Sequence, residues 1–347
     1  MLTLAACAPG GGRHIQITEV PKLDNADWQQ YRQRFVAADG RVVDNGQGGV
    51  SHSEGQGYAM FLAVAFDDRA VFDQLWRWTR QHLQVRANDK RLAWLWNPDC
   101  RKATDLNNAT DGDLFVSWAL LRASDRWEEA EYAAAARAIL DDLLPLEVAA
   151  AGQKVLLPGG DGFRREEGVV LNPSYWTLPA YAELASFHRG IDWQRHGQGA
   201  RALFKKATFG KWDLPPDWLL LSGRSRIAPW SQRPPLYSYD AIRVPLFLAW
   251  AGEADLLAPF LKMWKELGNI DGWPATIDLQ SKTITRRTDF VATGSIAALC
   301  RHVDGEVSLF PAVDWHAGIT YFDASLQLFS QIAWIEFDQS ILRGNGS

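Results

Sequence analysis

Three segments of the chain set a carboxylic acid among small and polar residues just ahead of an apolar run: Ser51-His-Ser-Glu54-Gly-Gln-Gly57, Asn107-Asn-Ala-Thr-Asp111-Gly-Asp113 and Tyr237-Ser-Tyr239-Asp240-Ala-Ile-Arg243. Taken singly, each reads as a helix start, where Asp, Ser and Thr cap free backbone N–H groups and the helix dipole stabilises an acid. Glu54 fits that reading poorly, because Gly55 and Gly57 lower helix propensity and leave room for something to approach the backbone. Together the segments offer what hydrolysis of a glycosidic bond requires. One carboxyl must be protonated beside the leaving oxygen, and one must be ionised to take a proton from water. Glu54 and Asp240 can divide those roles. A helix start favours the ionised form and suits a base at Asp240; an acid at Glu54 needs desolvation, or a neighbouring carboxylate such as Asp111, to keep its proton.

The elements that must position these acids are helical. Phe72, Leu75, Trp76, Thr79 and Leu83 recur at three- and four-residue intervals after the candidate caps Asp67 and Asp68. Leu114, Trp118 and Leu121 form a second stripe, and Tyr132, Ala136, Ile139, Leu140 and Leu143 a third in an alanine-rich stretch. Comparable patterns run near 175–188, 198–208, 240–251, 254–267, 291–303 and 321–336. Strand signals are short and lie chiefly around 82–96 and 281–287. About ten or eleven helices without a strict sequence period point to a closed helical array in one all-α domain, not a tandem solenoid.

Composition narrows the partner. With 47% apolar and 22% charged residues over 347 positions, the chain buries a large core, which excludes a disordered protein. A net charge of -5 supplies no broad field for nucleic acid or anionic lipid. The 17 tryptophans exceed what packing alone usually demands, and their flat faces suit sugar rings or peptides. Trp76, Trp78, Trp118, Trp250 and Trp264 sit at helical spacing and are expected in the core. No Cys/His cluster has zinc spacing, so neither a metal nor a cofactor is expected.

Five motifs then carry a resemblance: Ser53-Glu54-Gly-Gln-Gly-Tyr58-Ala-Met60, Ala93-Trp-Leu-Trp96, Asn108-Ala-Thr-Asp-Gly-Asp113-Leu114, Leu171-Asn-Pro-Ser-Tyr175 and Ser238-Tyr-Asp-Ala-Ile-Arg-Val244. In this order they resemble glycoside hydrolase family 8, and are most similar to the cellulase type found in bacterial cellulose-synthesis operons. The resemblance implies an (α/α)6 barrel with a few short strands in loops, an open groove, and an inverting endo-β-1,4-glucanase. It implies Glu54 as general acid and Asp240 as general base, with Asp111 hydrogen-bonding the sugar at the cleavage point. Arg243 would orient the base or a sugar hydroxyl, and Tyr175 and Tyr239 would line the same subsite. Trp96 would stack on a glucosyl face; its competing reading is burial beside Trp94 and Leu95. The alternatives are the same fold and mechanism acting on chitosan, xylan or mixed-linkage β-glucan, or a noncatalytic glucan-binding subunit of a cellulose-export machine. Retention of both Glu54 and Asp240 argues against the noncatalytic one.

The chain opens with Leu4-Ala5-Ala6-Cys7, which resembles a bacterial lipobox, followed by a Gly-rich tether. Residues 1–19 are therefore expected to be a truncated export segment and tether, and residues 20–340 the catalytic domain. On that reading the protein is periplasmic or secreted, with a lipid anchor at Cys7, a β-1,4-glucan as substrate, and cellulose synthase export components as possible partners.

Overall fold

The apolar stripes of the sequence form helices whose starts are set by local chemistry. A computed structural model describes residues 17–18, 21–223, 225–268, 272–288 and 290–344, so Cys7 lies outside the described residues. Among these, eleven helices follow in order: α1 (Asn25–Phe35), α2 (Ser53–Ala65), α3 (Arg69–His82), α4 (Thr110–Trp127), α5 (Ala130–Asp141), α6 (Leu178–Phe187), α7 (Trp193–Phe204), α8 (Arg243–Trp250), α9 (Ala258–Leu267), α10 (Val291–Val303) and α11 (Tyr321–Gly344). The cap of α3 is Asp68, which accepts the Val71 N–H at 3.2 Å. Asp67, the other expected cap, has a left-handed backbone (φ 56°), and its carboxylate holds Arg126 and the Trp127 indole instead. The helix expected near 175 begins at Leu178, because Pro173–Tyr175 first forms a 3-10 turn.

Two helices carry no readable stripe. From Gly55 to Val64, α2 is buried on every face, so it has no polar side to make a pattern. In α1 only Trp28, Tyr31 and Phe35 are buried, a seam too narrow to stand out in a polar segment.

Strands are more numerous than the two predicted alternations. Fourteen short strands among the described residues pair into five small antiparallel sheets. Of the stretch 82–96 only the end is strand, at Leu95–Asn97, whereas Thr283–Thr288 matches its prediction. Strands of two to four residues contain too little alternation to be legible. Several nonetheless lead into the acid-bearing segments: Ser51–His52 pairs with Leu95–Asn97 and runs into α2, and Leu236–Tyr237 pairs with Trp273–Asp278 ahead of Asp240. Gly168–Leu171 leads to the turn that carries Tyr175.

One hydrophobic core extends from Trp28 to Trp334, and Trp76, Trp78, Trp118, Trp250 and Trp264 are buried in it as expected. The indoles of Trp118 and Trp250 donate to Glu183 and Glu336, each at 2.7 Å, and Arg122 joins both carboxylates. That network ties α4, α6, α8 and α11 together without leaving either buried indole N–H unpaired.

The contact that matters most for the acids is between α2 and α4. A Cβ on Gly57 would lie 2.7 Å from Phe115 Cβ, and one on Gly112 would lie 2.6 Å from Ser53 Cβ and 2.9 Å from the Glu54 backbone nitrogen. Glycine at both places lets the two helices approach closely and brings the first turn bearing Glu54 against the first turn bearing Asp111. Gly57→Ala is therefore expected to lower stability by about 1–3 kcal/mol through overpacking. Thermal unfolding checks this; an unchanged Tm would show that the helices can part at no cost.

Candidate active site

A groove of about 720 Å³ is lined by Glu54, Asp111, Tyr175, Tyr239, Asp240 and Arg243, together with Trp94, Asp44 and Tyr321. Glu54 lies 57 positions before Asp111, and Asp111 lies 129 before Asp240, yet the fold brings them to one groove. Side-chain exposure separates them into two groups. Glu54 is 16% exposed and Asp240 33%, so both can meet a ligand in the groove, while Asp111 at 4% and Arg243 at 3% are almost sealed.

Arg243 is the centre of the arrangement. Its Nη1 donates to Glu54 Oε2 in a short ion pair and to Asp111 Oδ2 and the Tyr58 hydroxyl, both at 3.3 Å. Its Nη2 donates to Asp240 Oδ1 at 2.7 Å. Burial disfavours the charge on this guanidinium, but Glu54, Asp240 and Asp111 outweigh that and hold it firmly protonated. Because Glu54 and Asp240 bond different terminal nitrogens of one guanidinium, their nearest oxygens lie at most about 8 Å apart, two hydrogen bonds plus the width of the group. That limit is compatible with the carboxyl spacing of inverting hydrolysis, about 6.5–9.5 Å, and with that of retaining hydrolysis, about 5–5.5 Å.

Glu54 is fixed from its other side as well. Oε1 accepts the Tyr321 hydroxyl at 2.9 Å. The helix start that carries it is capped by His52, whose Nδ1 accepts the Gly55 N–H at 3.3 Å while Nε2 lies 3.1 Å from Asp44 Oδ2. A ring nitrogen that accepts from the backbone leaves the proton on Nε2, so the pair reads as His52 donating to Asp44. The Trp94 carbonyl accepts the Ser53 N–H at 3.1 Å, tying the same turn to the strand that follows. Asn45 adds a clamp on the facing wall, donating to the Ile319 carbonyl at 2.9 Å and accepting the Tyr321 N–H at 3.0 Å.

The carboxyl driven upward is Asp111, pushed to about 8 by burial and by the negative charge of Glu54, against the opposing pull of Arg243. At neutral pH it therefore holds a proton beside Glu54. Asp240 is also raised, by burial first, with Arg243 opposing and Glu54 adding to the rise. The sequence places Asp240 at a helix start whose dipole would favour ionisation. Instead it lies three residues before α8, in a turn where the Arg243 N–H bonds the Asp240 carbonyl at 3.2 Å, and the guanidinium is what stabilises its charge. Asp113, readable in sequence as a helix-start acid or as a support to the site, is fully buried. It accepts the Leu92 N–H at 2.8 Å and the Asn108 amide at 2.7 Å, and burial pushes it to about 7.

Tyr175 lies under Arg243, whose guanidinium carbon is 5.8 Å from its ring centre, and Tyr239 packs edge-on against Phe290 while keeping 39% of its surface open. Trp96 is the one predicted site residue that the structure does not bring to the groove. Its indole is 7% exposed, packed edge-on against Trp78 at 5.5 Å and covered by Arg41 at 4.9 Å, so it has no free face for a sugar. Trp94 lines the groove in its place. Sequence reasoning also passes over Asp44 and Tyr321. Asp44 stands in a loop with no periodicity around it, and Tyr321 is legible only as the first residue of an expected helix. Among the described residues, no group of His, Cys, Asp and Glu is arranged to hold a metal ion; the acids enclose a guanidinium.

The family model for glycosyl hydrolases family 8 matches residues 17–335. A probable endoglucanase of Novacetimonas hansenii is 38% identical over 343 residues, covering 95% of this chain and 97% of the relative. The endoglucanase of Cellulomonas uda is 42% identical over 242 residues, covering 69% of this chain and 67% of its own. Among solved structures, the family 8 endoglucanase Cel10 of Klebsiella pneumoniae superposes with a TM-score of 0.81 at 36% identity, covering 90% of this chain and 99% of that one. The endo-β-1,4-glucanase CMCax of Acetobacter xylinum does so with a TM-score of 0.79 at 33% identity, covering 89% and 96%. A family match over nearly every described residue, and a relative matched almost end to end, show that this chain belongs to glycosyl hydrolase family 8.

Proposed function

We propose that this glycoside hydrolase is an inverting endo-β-1,4-glucanase that cuts cellulose-type chains, with the described helices forming part of an (α/α)6 barrel around the groove. The observation that carries the reading is the bridge from Glu54 through Arg243 to Asp240, which sets two carboxyls of different surroundings across one open groove. Glu54 delivers a proton to the leaving glycosidic oxygen. Asp240 takes a proton from the water that attacks the anomeric carbon on the opposite face. Asp111, protonated and shielded, has an O–H to offer a sugar hydroxyl at the cleavage point, and Arg243 keeps the base oriented. Tyr175 and Tyr239 supply ring faces and hydroxyls to the same sugar, and Trp94 extends the wall. The endoglucanase relatives support β-1,4-glucan as the substrate class.

The cellular setting belongs to the same reading: a catalytic domain over residues 20–340, working in the periplasm or outside the cell during bacterial cellulose production. It would be tethered through residues 1–19 and an acylated Cys7, near the cellulose export components. No helix among the described residues is long and apolar enough to cross a membrane. Metabolic labelling with a fatty acid, compared between the native chain and Cys7→Ser, tests the anchor.

Glu54→Gln and Asp240→Asn each remove one proton-transfer partner and should lower turnover about 10²–10⁴-fold while leaving the fold intact. Reducing-end release from carboxymethylcellulose measures this, and a panel with chitosan, xylan and mixed-linkage glucan separates the substrate classes. Near-normal turnover of Glu54→Gln would eliminate the proposed acid.

The hydrogen bond that Asp111 offers the sugar needs the proton on its carboxyl. Asp111 holds that proton below about pH 8 and loses it above, so kcat/KM should fall as pH rises through about 8. The opposite limb belongs to the base, which works only when ionised and so loses activity as pH falls through the raised value of Asp240. A profile that stays flat well above pH 8 would contradict a working proton on Asp111.

A further inference from the structure

One buried acid beside the site takes no part in the mechanism above. Asp217 precedes the strand Leu219–Ser222 and is 9% exposed. Its Oδ1 accepts the backbone N–H groups of Ser238 and Ala241, both at 2.9 Å, and its Oδ2 accepts the Ser238 hydroxyl in a short bond. Its own N–H donates to the Leu236 carbonyl at 2.7 Å. Four hydrogen bonds from one residue thus grip the chain on both sides of Asp240, from Leu236 to Ala241.

The grip has a physical reason. Helix α8 has no side-chain cap of its own, and the turn ahead of it carries N–H groups that a helix start leaves without partners. A carboxylate more than twenty residues away in sequence supplies the missing acceptors. The turn that aims the base is therefore set by a residue in the bend ahead of the strand Leu219–Ser222. Burial, then Asp240 itself, pushes Asp217 up to about 6, with its three donors at Ser238 and Ala241 opposing, so it is ionised at neutral pH.

We infer that Asp217 is a positioning residue for hydrolysis: its carboxylate clamps the Ser238–Ala241 turn that carries Asp240. The inference rests on Asp240 being the base. The groups facing Asp240 are Glu54 from α2, Asp111 from α4, Asn172 and Tyr175 from the 3-10 turn, Arg243 from α8, and Arg286 and Phe290 from the facing wall. Those facing Asp217 are Ser238, Asp240 and Tyr237. Asp217 holds the backbone on both sides of the base, at Ser238 and at Ala241.

Three variants test it against the unsubstituted enzyme on a soluble β-1,4-glucan. Asp217→Ala removes the clamp and should lower kcat about 10²-fold, with KM changed much less, since the base is misaimed while the rest of the groove is intact. Asp217→Asn keeps both acceptor bonds to the backbone and can donate to Ser238 Oγ, which rotates to accept, so most of kcat should return. A folded Asp217→Ala enzyme with kcat near normal overturns the clamp, and so does an Asn variant as impaired as the Ala variant. If Asp217→Ala fails to fold, the Asn variant still decides: a folded Asp217→Asn enzyme with kcat lowered about 10²-fold overturns the clamp. Asp240→Asn run in parallel separates the two readings: if it stays active, the base assignment is wrong whatever Asp217 does, whereas an inactive Asp240→Asn beside an unaffected Asp217→Ala sinks the Asp217 inference alone.

Discussion

Everything at this site hangs on one guanidinium. Arg243 is almost sealed from water, and a cation so placed is tolerable only if fixed anionic or polar partners replace its hydration. It finds them in Glu54, Asp111 and Asp240, which come from three separate segments of the chain. The need is mutual. Three acids converging on one groove would repel one another, and a buried positive charge among them offsets that repulsion. The result is an uneven set: two partly open carboxyls, Glu54 and Asp240, and a shielded Asp111 whose carboxyl is pushed up to about 8. Hydrolysis by proton donation on one face and proton removal on the other requires that unevenness.

The fold serves this constraint in two ways. Helices bring depth: α2 and α4 pack at glycine, so Glu54 and Asp111 can share a nitrogen of Arg243. Small sheets bring aim. The strand Ser51–His52 feeds the capped turn of Glu54, and Leu236–Tyr237 feeds the turn of Asp240, which Asp217 grips from behind. Each acid is thus held at a helix or turn start by backbone contacts made to a neighbouring strand or loop. Such anchoring leaves the carboxyl tips free to meet a sugar while their main chains cannot drift.

Much of this was legible in the sequence, and for identifiable reasons. Helices α3, α5 and α9 bury one face only, so their apolar spacing announces them. Glu54, Asp111, Asp240 and Arg243 stand in motifs whose glycines and polar neighbours fit no simple packing rule, and the structure gathers all four. What escaped was of another kind. Helix α2 is apolar on every side and has no stripe to read. Trp94 and Trp96 are two residues apart in one motif, and which of them faces the groove is decided by packing against Trp78 and Arg41, which come from elsewhere in the chain. Asp44, Asp217 and Tyr321 matter because of what lies across from them in space, and neither a lone acid in a loop nor a tyrosine at a helix start carries a local sign of that.

The central claim is that Glu54 and Asp240 act in a single displacement on opposite faces of the bond. The most direct measurement follows the anomeric protons of the first products by NMR while a soluble cello-oligosaccharide is cleaved, before mutarotation blurs the result. The account predicts that the new reducing ends appear first as the α anomer. Initial appearance of the β anomer would mean retention through a covalent intermediate and would contradict the single displacement.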